Sequence, residues 1–402
     1  MPTYNRAHLL GLAAQSVLQQ TFDDFELVIS NGGSTDETRE VVANLNDARI
    51  RYVESNERLS IGDNYQTALE HAGGEYITFL SDDDAFVPSM FERIKFIIEE
   101  QNAQIVTFRV SSYYHDPDIE FNRRISPNTL AIPQFTGEVR KFDSKQAIKL
   151  LYRNYGLNDA ERDEKFIVSY LANAVYHHSI FERVKAVKDK LFDATPADMY
   201  LAAAVLYVTE SYFCLDEPLH VWSSWANNST ASPHKKGTKL REHYERLLNN
   251  ETLRFAPLKF ALPLNCQVNA ILQASNDFED LPNPGNFDSF NYFVAIYKDL
   301  MYLKSAGADV SREANEFNDI TAGLDSDLRG KIRSEISNPA YAAKKFLLTK
   351  FPFARRAVKR LLERDSLNQP IMALGDENGF GDFLEAAAFL GKNLSEFQNQ
   401  GK

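Results

Sequence analysis

Gly74-Glu75-Tyr76-Ile77-Thr78-Phe79-Leu80-Ser81-Asp82-Asp83-Asp84 is the stretch on which the reading of this chain turns. Residues 75–80 are rich in β-formers and read as a buried strand. Three consecutive carboxylates follow it at once. In open α/β sheets ligands gather at the carboxyl ends of strands. Adjacent carboxylates raise one another's pKa unless a cation is present. Mg²⁺ or Mn²⁺ typically takes one or two carboxylates and fills its remaining positions with water and phosphate oxygens. The cluster therefore suits a divalent cation held together with a diphosphate. An acidic loop favoured by the dipole of the next helix is the plainer alternative. An EF-hand starting at Asp82 fails, because the positions that need Gly and Glu hold Val87 and Arg93. A dinucleotide fingerprint fails too, because Asn31-Gly32-Gly33-Ser34 does not supply its glycine spacing.

Outward from this stretch, residues 1–109 alternate helix and strand patterns. Leu9, Leu10, Ala13, Val17 and Leu18 form an apolar stripe that predicts a helix over 7–19. Phe25 to Ile29 is a short apolar run closed by the turn Asn31-Gly32-Gly33. A helix capped by Ser34 or Thr35 is expected to run to Val42. Arg49 to Glu54 reads as a strand and Ser60 to His71 as a helix. Pro88 suits the first turn of a helix reaching Gln101, and Ile105 to Phe108 closes the series. Strands separated by helices predict an α/β fold with a mainly parallel sheet, helices on both faces. Beyond it, Ser111 to Phe135 is polar with three prolines and reads as a long loop or lid. Pro196 to Val208 reads as a helix, and two short strands are expected on either side of Pro218. Past Pro233 helical spacing dominates, with breaks near Pro282-Asn283-Pro284-Gly285 and at Pro339.

Composition bounds the function. The chain has 402 residues, a net charge of −12 and a pI near 5.3. Its length predicts two or three domains, drawn at 1–109, 110–232 and 233–402. Acidity argues against nucleic acid, whose binding needs basic surface. Cys214 and Cys266 lie far apart and form no spaced metal motif. No run approaches the roughly 18 apolar residues of a membrane span, and Met1 to Arg6 has no apolar signal core. The expected location is the cytoplasm, at most on the inner face of the plasma membrane.

Taken together, Pro2-Thr3-Tyr4-Asn5-Arg6, Asn31-Gly32-Gly33-Ser34-Thr35-Asp36, then Asn56, Asn64 and Ala68 ahead of Gly74-Glu75-Tyr76 and the carboxylates, resemble the family 2 glycosyltransferases. That family has the GT-A nucleotide-sugar fold. The likeness covers 1–109 well, 166–232 weakly and 233–402 not at all. It implies an inverting transfer from a nucleotide-sugar donor to a glycan or lipid-linked acceptor, in bacterial surface polysaccharide synthesis, with Mg²⁺ or Mn²⁺. By resemblance Thr3 and Tyr4 line the base and ribose pocket and Asn31 belongs to the donor site. Asp82 faces the ribose or diphosphate, and Asp83 is the main metal ligand with Asp84 beside it. Phe192-Asp193-Ala194-Thr195-Pro196-Ala197-Asp198 resembles the segment that ends in the family's catalytic base. That assigns the base to Asp198, with Asp193 as the alternative.

The chain also departs from the pattern. Gly32 stands where the family has a carboxylate that reads uracil, which leaves the nucleotide open. Asp63 stands where Arg is common, Ala197 where Glu is common, and Ser223-Ser224 where an Arg is frequent. The first strand is expected to be missing, because Met1 falls where it would end; truncation or a misassigned start would explain that. His177 and His178 read as packing or surface residues. Trp222 and Trp225 are buried, or stack on an acceptor sugar. Residues 344–364 interleave Lys and Arg with Phe and Leu, which suggests peripheral membrane contact or a docked helix with a basic face. Asp382 to Leu394 reads as an amphipathic docking or dimerisation helix. A sugar-nucleotide pyrophosphorylase would need a Gly-rich basic first loop, which is lacking; a non-catalytic glycan-binding scaffold is the other competing class.

Overall fold

Two interlocked turns organise the first third of the molecule. Asn5 adopts a left-handed φ of 53°, and its side-chain oxygen accepts from the Thr35 amide at 2.7 Å. The Ser34 hydroxyl accepts from the Asn5 amide at 2.9 Å, and Asp36 accepts from the Ala7 amide at 2.9 Å. That acid sits at the first turn of helix α1 (Ala7–Leu18), where the helix dipole favours negative charge. Gly33 has φ of +84°, and a Cβ there would meet the Glu57 carbonyl at 2.5 Å, so only glycine fits this turn.

The computed structural model describes residues 1–115, 126–154, 171–192, 196–224, 253–278, 287–305, 307–337 and 370–400. Strands β1 (Pro2–Thr3), β2 (Leu27–Asn31) and β3 (Ile50–Glu54) form a parallel three-stranded sheet in the order β1-β2-β3. The strand expected to be missing is thus present as two residues paired with Ser30 and Asn31, while the Met1 amino group donates to the Val28 carbonyl at 2.8 Å. Helix α2 (Thr38–Leu45) packs on α1, and helix α3 (Ile61–Glu70) packs beneath β1 and β2. Ser60 caps α3 by accepting from the Asp63 amide.

The second sheet is mixed. Strands β4 (Tyr76–Thr78), β5 (Ala85–Phe86), β6 (Ile105–Tyr114), β7 (Thr129–Ile132), β8 (Val139–Asp143), β9 (Ala174–His177), β10 (Ser211–Ser224) and β11 (Ile371–Leu374) belong to it. Only β6 and β10 pair in parallel; the other pairings are antiparallel. Parallel pairing therefore holds in the first sheet as expected, and the second departs from it, with antiparallel partners drawn mostly from strands far apart in the chain. The expected lid over 111–135 is partly strand: Ser111 to Tyr114 continue β6 in register with β10, and β7 pairs back on it. The two strands expected around Pro218 are one strand with register shifts at Pro218, where the missing N–H interrupts the ladder.

Helices α4 (Met90–Gln101), α5 (Ser144–Asn154), α6 (Ser179–Lys185) and α7 (Ala197–Tyr207) cover this sheet. Two cores result. One joins α1, β2, β5, β6 and the C-terminal helix Phe383–Gln400. The other joins α5, α6 and α7 to helices Pro263–Asp277, Ser289–Ser305 and Ser311–Ala322. The segment after 233 is mostly helical as expected, yet its β11 extends the second sheet through β7. Helix Phe383–Gln400 docks on α1 and β10, which settles the Asp382–Leu394 reading in favour of docking within the chain. Asp193, Trp225, the Pro282–Gly285 break and the basic stretch 344–364 lie outside the described residues. No helix among the described residues is long and apolar enough to cross a membrane.

Candidate active site

The carboxylate loop follows β4 and leads into β5, so the sheet presents all three acids at a strand end. Asp82, Asp83 and Asp84 are each about one-twentieth exposed, at 5%, 5% and 4%. Buried charges must be compensated, and here the compensation is explicit. The Thr3 hydroxyl donates to Asp82 Oδ2 at 2.7 Å. The Arg6 guanidinium donates through Nη1 to Asp82 Oδ1 at 3.0 Å and to Asp83 Oδ2 at 2.8 Å. Asp84 Oδ1 accepts from the Ser223 amide at 2.8 Å, and the Ser223 hydroxyl donates to the Asp83 carbonyl. His220 is buried with Nε2 3.2 Å from Asp84 Oδ2, an ion-pair distance without hydrogen-bond alignment.

Electrostatics follow from this packing. Burial, then the charge of Asp84, pushes the Asp83 carboxyl up to about 7, against the pull of Arg6. Asp82 is also raised by burial despite Arg6 and Thr3. Arg6 is held above its ordinary range: burial opposes its charge, but Asp82 and Asp83 together prevail.

The residues expected at the donor site fall around this loop. Thr3 is buried and bound to Asp82. Tyr4 is half-buried with the Arg58 guanidinium 4.9 Å from its ring centroid. Asn31 is 1% exposed; its amide donates to the Tyr52 hydroxyl at 2.8 Å and Glu54 at 3.0 Å, and its oxygen accepts from the Ser34 amide at 2.9 Å. Asn31 thus braces the turn. Gly32 has a spatial reason: a Cβ would stand 2.8 Å from the Asn64 amide nitrogen. Asn64 is itself fixed, accepting from the Ser30 hydroxyl at 2.7 Å and donating to the Thr3 carbonyl at 3.0 Å. Asp63, where the pattern has Arg, pairs with Lys190 at 2.7 Å.

Asp198 opens α7 and is half-buried. Burial raises its carboxyl, partly offset by the Met199 amide, which donates to it at 2.9 Å. Tyr65 lies between Phe192, before α7, and Phe79, before the carboxylate loop. Its ring stacks on Phe192 at 5.5 Å and meets the edge of Phe79 at 5.8 Å. Its phenol is raised first by burial, then by the charges of Asp198, Asp82, Asp83 and Asp84, so one side chain feels both halves of the site. Arg6, Tyr65, His220 and Ser223 escaped the motif reading because their partners are distant in sequence; Arg6 alone carried a signal, as the last residue of Pro2-Thr3-Tyr4-Asn5-Arg6.

Other expectations resolve simply. His177 contacts Ser179 and Glu75, and His178 contacts Glu182, as surface residues do. Trp222 is half-buried within β10. Among the described residues no group of three or more His, Cys, Asp or Glu is arranged so as to hold a metal ion. A nucleotide-enzyme cation needs only one or two carboxylates. Of the three buried acids, Asp82 and Asp83 share the Arg6 guanidinium, so Asp83, with Asp84 beside it, is the residue that could hold a divalent cation. Both Asp84 oxygens already have neighbours in β10, which makes Asp84 the tether of the loop as much as a ligand.

The strand-end carboxylates, the Thr3 hydroxyl bound to them and the half-buried Asp198 at the start of α7 make up the candidate site. Residues 1–184 match the profile described as "Glycosyl transferase family 2", so the first part of the chain is similar to that family. It is 30% identical over 148 residues to the Campylobacter jejuni GalNAc(5)-diNAcBac-PP-undecaprenol beta-1,3-glucosyltransferase, covering 34% of this chain and 48% of that protein. It is 34% identical over 92 residues to the Escherichia coli UDP-Glc:alpha-D-GlcNAc-diphosphoundecaprenol beta-1,3-glucosyltransferase WfgD, covering 23% and 36%. The chain thus spans about half or less of the length of these two relatives. A crystal structure of S. aureus TarS 1-349 in complex with UDP-GlcNAc aligns at 14% identity over 83% of this chain and 85% of that one, with a TM-score of 0.44.

Proposed function

We propose that this protein transfers a sugar from a nucleoside-diphosphate donor to a glycan or lipid-linked acceptor in bacterial surface polysaccharide synthesis, with Asp198 as general base and Asp83 as the main ligand of Mg²⁺ or Mn²⁺. The observation that carries this reading is the buried Asp82-Asp83 pair at a strand end, bridged by Arg6 and held by Thr3. Relatives named for undecaprenol-linked acceptors support the acceptor class. The basic stretch 344–364 is the proposed contact with the membrane face that carries such acceptors.

Thr3 and Tyr4 hold the nucleotide, with Arg58 across the Tyr4 ring. When bound, the cation stabilises negative charge on the departing diphosphate. Asp82 stays oriented by Thr3 toward the donor. The acceptor hydroxyl attacks the anomeric carbon from the face opposite the diphosphate. Its proton passes to Asp198 as the glycosidic bond forms and the bond to the diphosphate breaks. A carboxylate raised by burial is a better proton acceptor than an ordinary one, provided it is ionised at the working pH. Asp198→Asn keeps shape and removes the base. The expected outcome is a transfer rate lower by roughly 10²–10⁴ with unchanged donor affinity, read by product formation and by nucleotide-sugar titration. Full transfer by the variant would remove Asp198 from the role.

A further inference from the structure

One Arg6 nitrogen holds Asp82 Oδ1 and Asp83 Oδ2 at once, at 3.0 and 2.8 Å, in a site where both carboxylates are about 5% exposed. A divalent cation on Asp83 would sit on the carboxylate that Arg6 already holds through Oδ2, at a metal–oxygen distance of roughly 2.0–2.1 Å for Mg²⁺. Two cations on one carboxylate edge repel strongly where water is excluded. Arg6 and the metal therefore compete. Asp82 is not freed by the loss of Arg6, because the Thr3 hydroxyl grips its other oxygen at 2.7 Å. Asp83 is. Arg6 also directly follows Thr3-Tyr4-Asn5, so an anion entering beside Thr3 and Tyr4 arrives within reach of its side chain. A diphosphate matches the planar fork of a guanidinium.

We propose that Arg6 is a positioning residue that couples the two ligands: it occupies Asp83 until the donor's diphosphate draws it away, so a divalent cation binds well only together with the nucleotide. This rests on the metal-dependent reading of the Asp82-Asp83 loop. It makes donor binding the step that admits the metal, and it keeps the carboxylates compensated when no donor is bound.

The test is Mn²⁺ binding to the full chain by loss of the free-ion electron paramagnetic resonance signal, without catalysis. Wild type, Arg6→Gln and Arg6→Lys are each measured alone and with UDP or GDP, with protein-free nucleotide subtracted. Melting curves confirm that each variant is folded. Hydrogen bonds to charged groups of this kind correspond to about tenfold or more in affinity. Arg6→Gln is expected to bind Mn²⁺ alone at least about tenfold more tightly than wild type. Arg6→Lys, which keeps the charge, should stay close to wild type. With nucleotide, wild type should gain Mn²⁺ affinity while Arg6→Gln gains little. Wild type binding Mn²⁺ alone as tightly as Arg6→Gln overturns the coupling while leaving the metal site standing. No binding by any form, with or without nucleotide, overturns the metal site and the coupling with it.

Discussion

At the residue scale, the chemistry divides into what is locally written and what is not. Asn5, Ser34, Thr35 and Asp36 act within turns whose partners lie about thirty residues apart in two contiguous motifs, and those motifs were readable. Arg6 meets Asp82 and Asp83 across separations of 76 and 77, and Ser223 meets Asp84 across 139. No periodicity or spacing rule reaches that far, so these contacts needed the fold. Gly32 shows the converse. Its departure from the family pattern was plain, but its reason, the closeness of Asn64, was not. The base assignment carries a pH prediction. Asp198 works ionised and its carboxyl is raised by burial. Transfer should therefore fall on the acid side through an apparent pKa above the ordinary Asp value of about 3.9. A kcat/KM profile measures it. Activity flat down to that ordinary value would contradict the assignment.

At the scale of elements, helices were foreseen to within a few residues because apolar stripes and caps are local: the 7–19, 60–71 and 196–208 readings became α1, α3 and α7. Strand partners were not foreseen, because pairing is set by neighbours far along the chain. The mixed second sheet and the single bulged β10 follow from that. One contact between elements controls the site. Helix α3 lies so close to the segment before α7 that a Cβ on Gly62 would stand 2.3 Å from the Phe192 carbonyl. The obstacle is a backbone carbonyl and not a side-chain tip, so Gly62→Ala should push α3 from that segment and shift Tyr65 relative to Asp198. The expected cost is roughly 1–3 kcal/mol of stability, with kcat reduced more than donor affinity. Calorimetry and steady-state kinetics read the two effects, and equal loss in both kinetic terms would point to general unfolding instead.

At the scale of the whole molecule, the C-terminal third is not an appendage. It closes the second core and returns β11 and helix Phe383–Gln400 to the catalytic half. Its helical character was legible, while its role as part of both cores was not, since an amphipathic face does not name its partner. One consequence concerns global stability. Asp299, in helix Ser289–Ser305, is raised to about 6 by burial alone. The folded state then holds its proton more tightly than the unfolded state, so stability is lost as pH rises from about 4 to about 6. Asp299→Asn should raise unfolding free energy by about 2 kcal/mol near pH 7 and by almost nothing near pH 4. Denaturant titrations at the two pH values measure this; an equal gain at both would exclude the carboxyl as its source. The central claim concerns the site that these cores hold in place. Nucleoside diphosphate release and labelled-sugar transfer should be measured over a panel of nucleotide sugars, with Mn²⁺ and polyprenyl-diphosphate-linked saccharides, for wild type, Asp83→Asn and Asp198→Asn. At least one donor should be turned over by wild type, and both variants should lose transfer by roughly 10² or more. Undiminished transfer by both variants, or no turnover of any donor by wild type, would contradict the account.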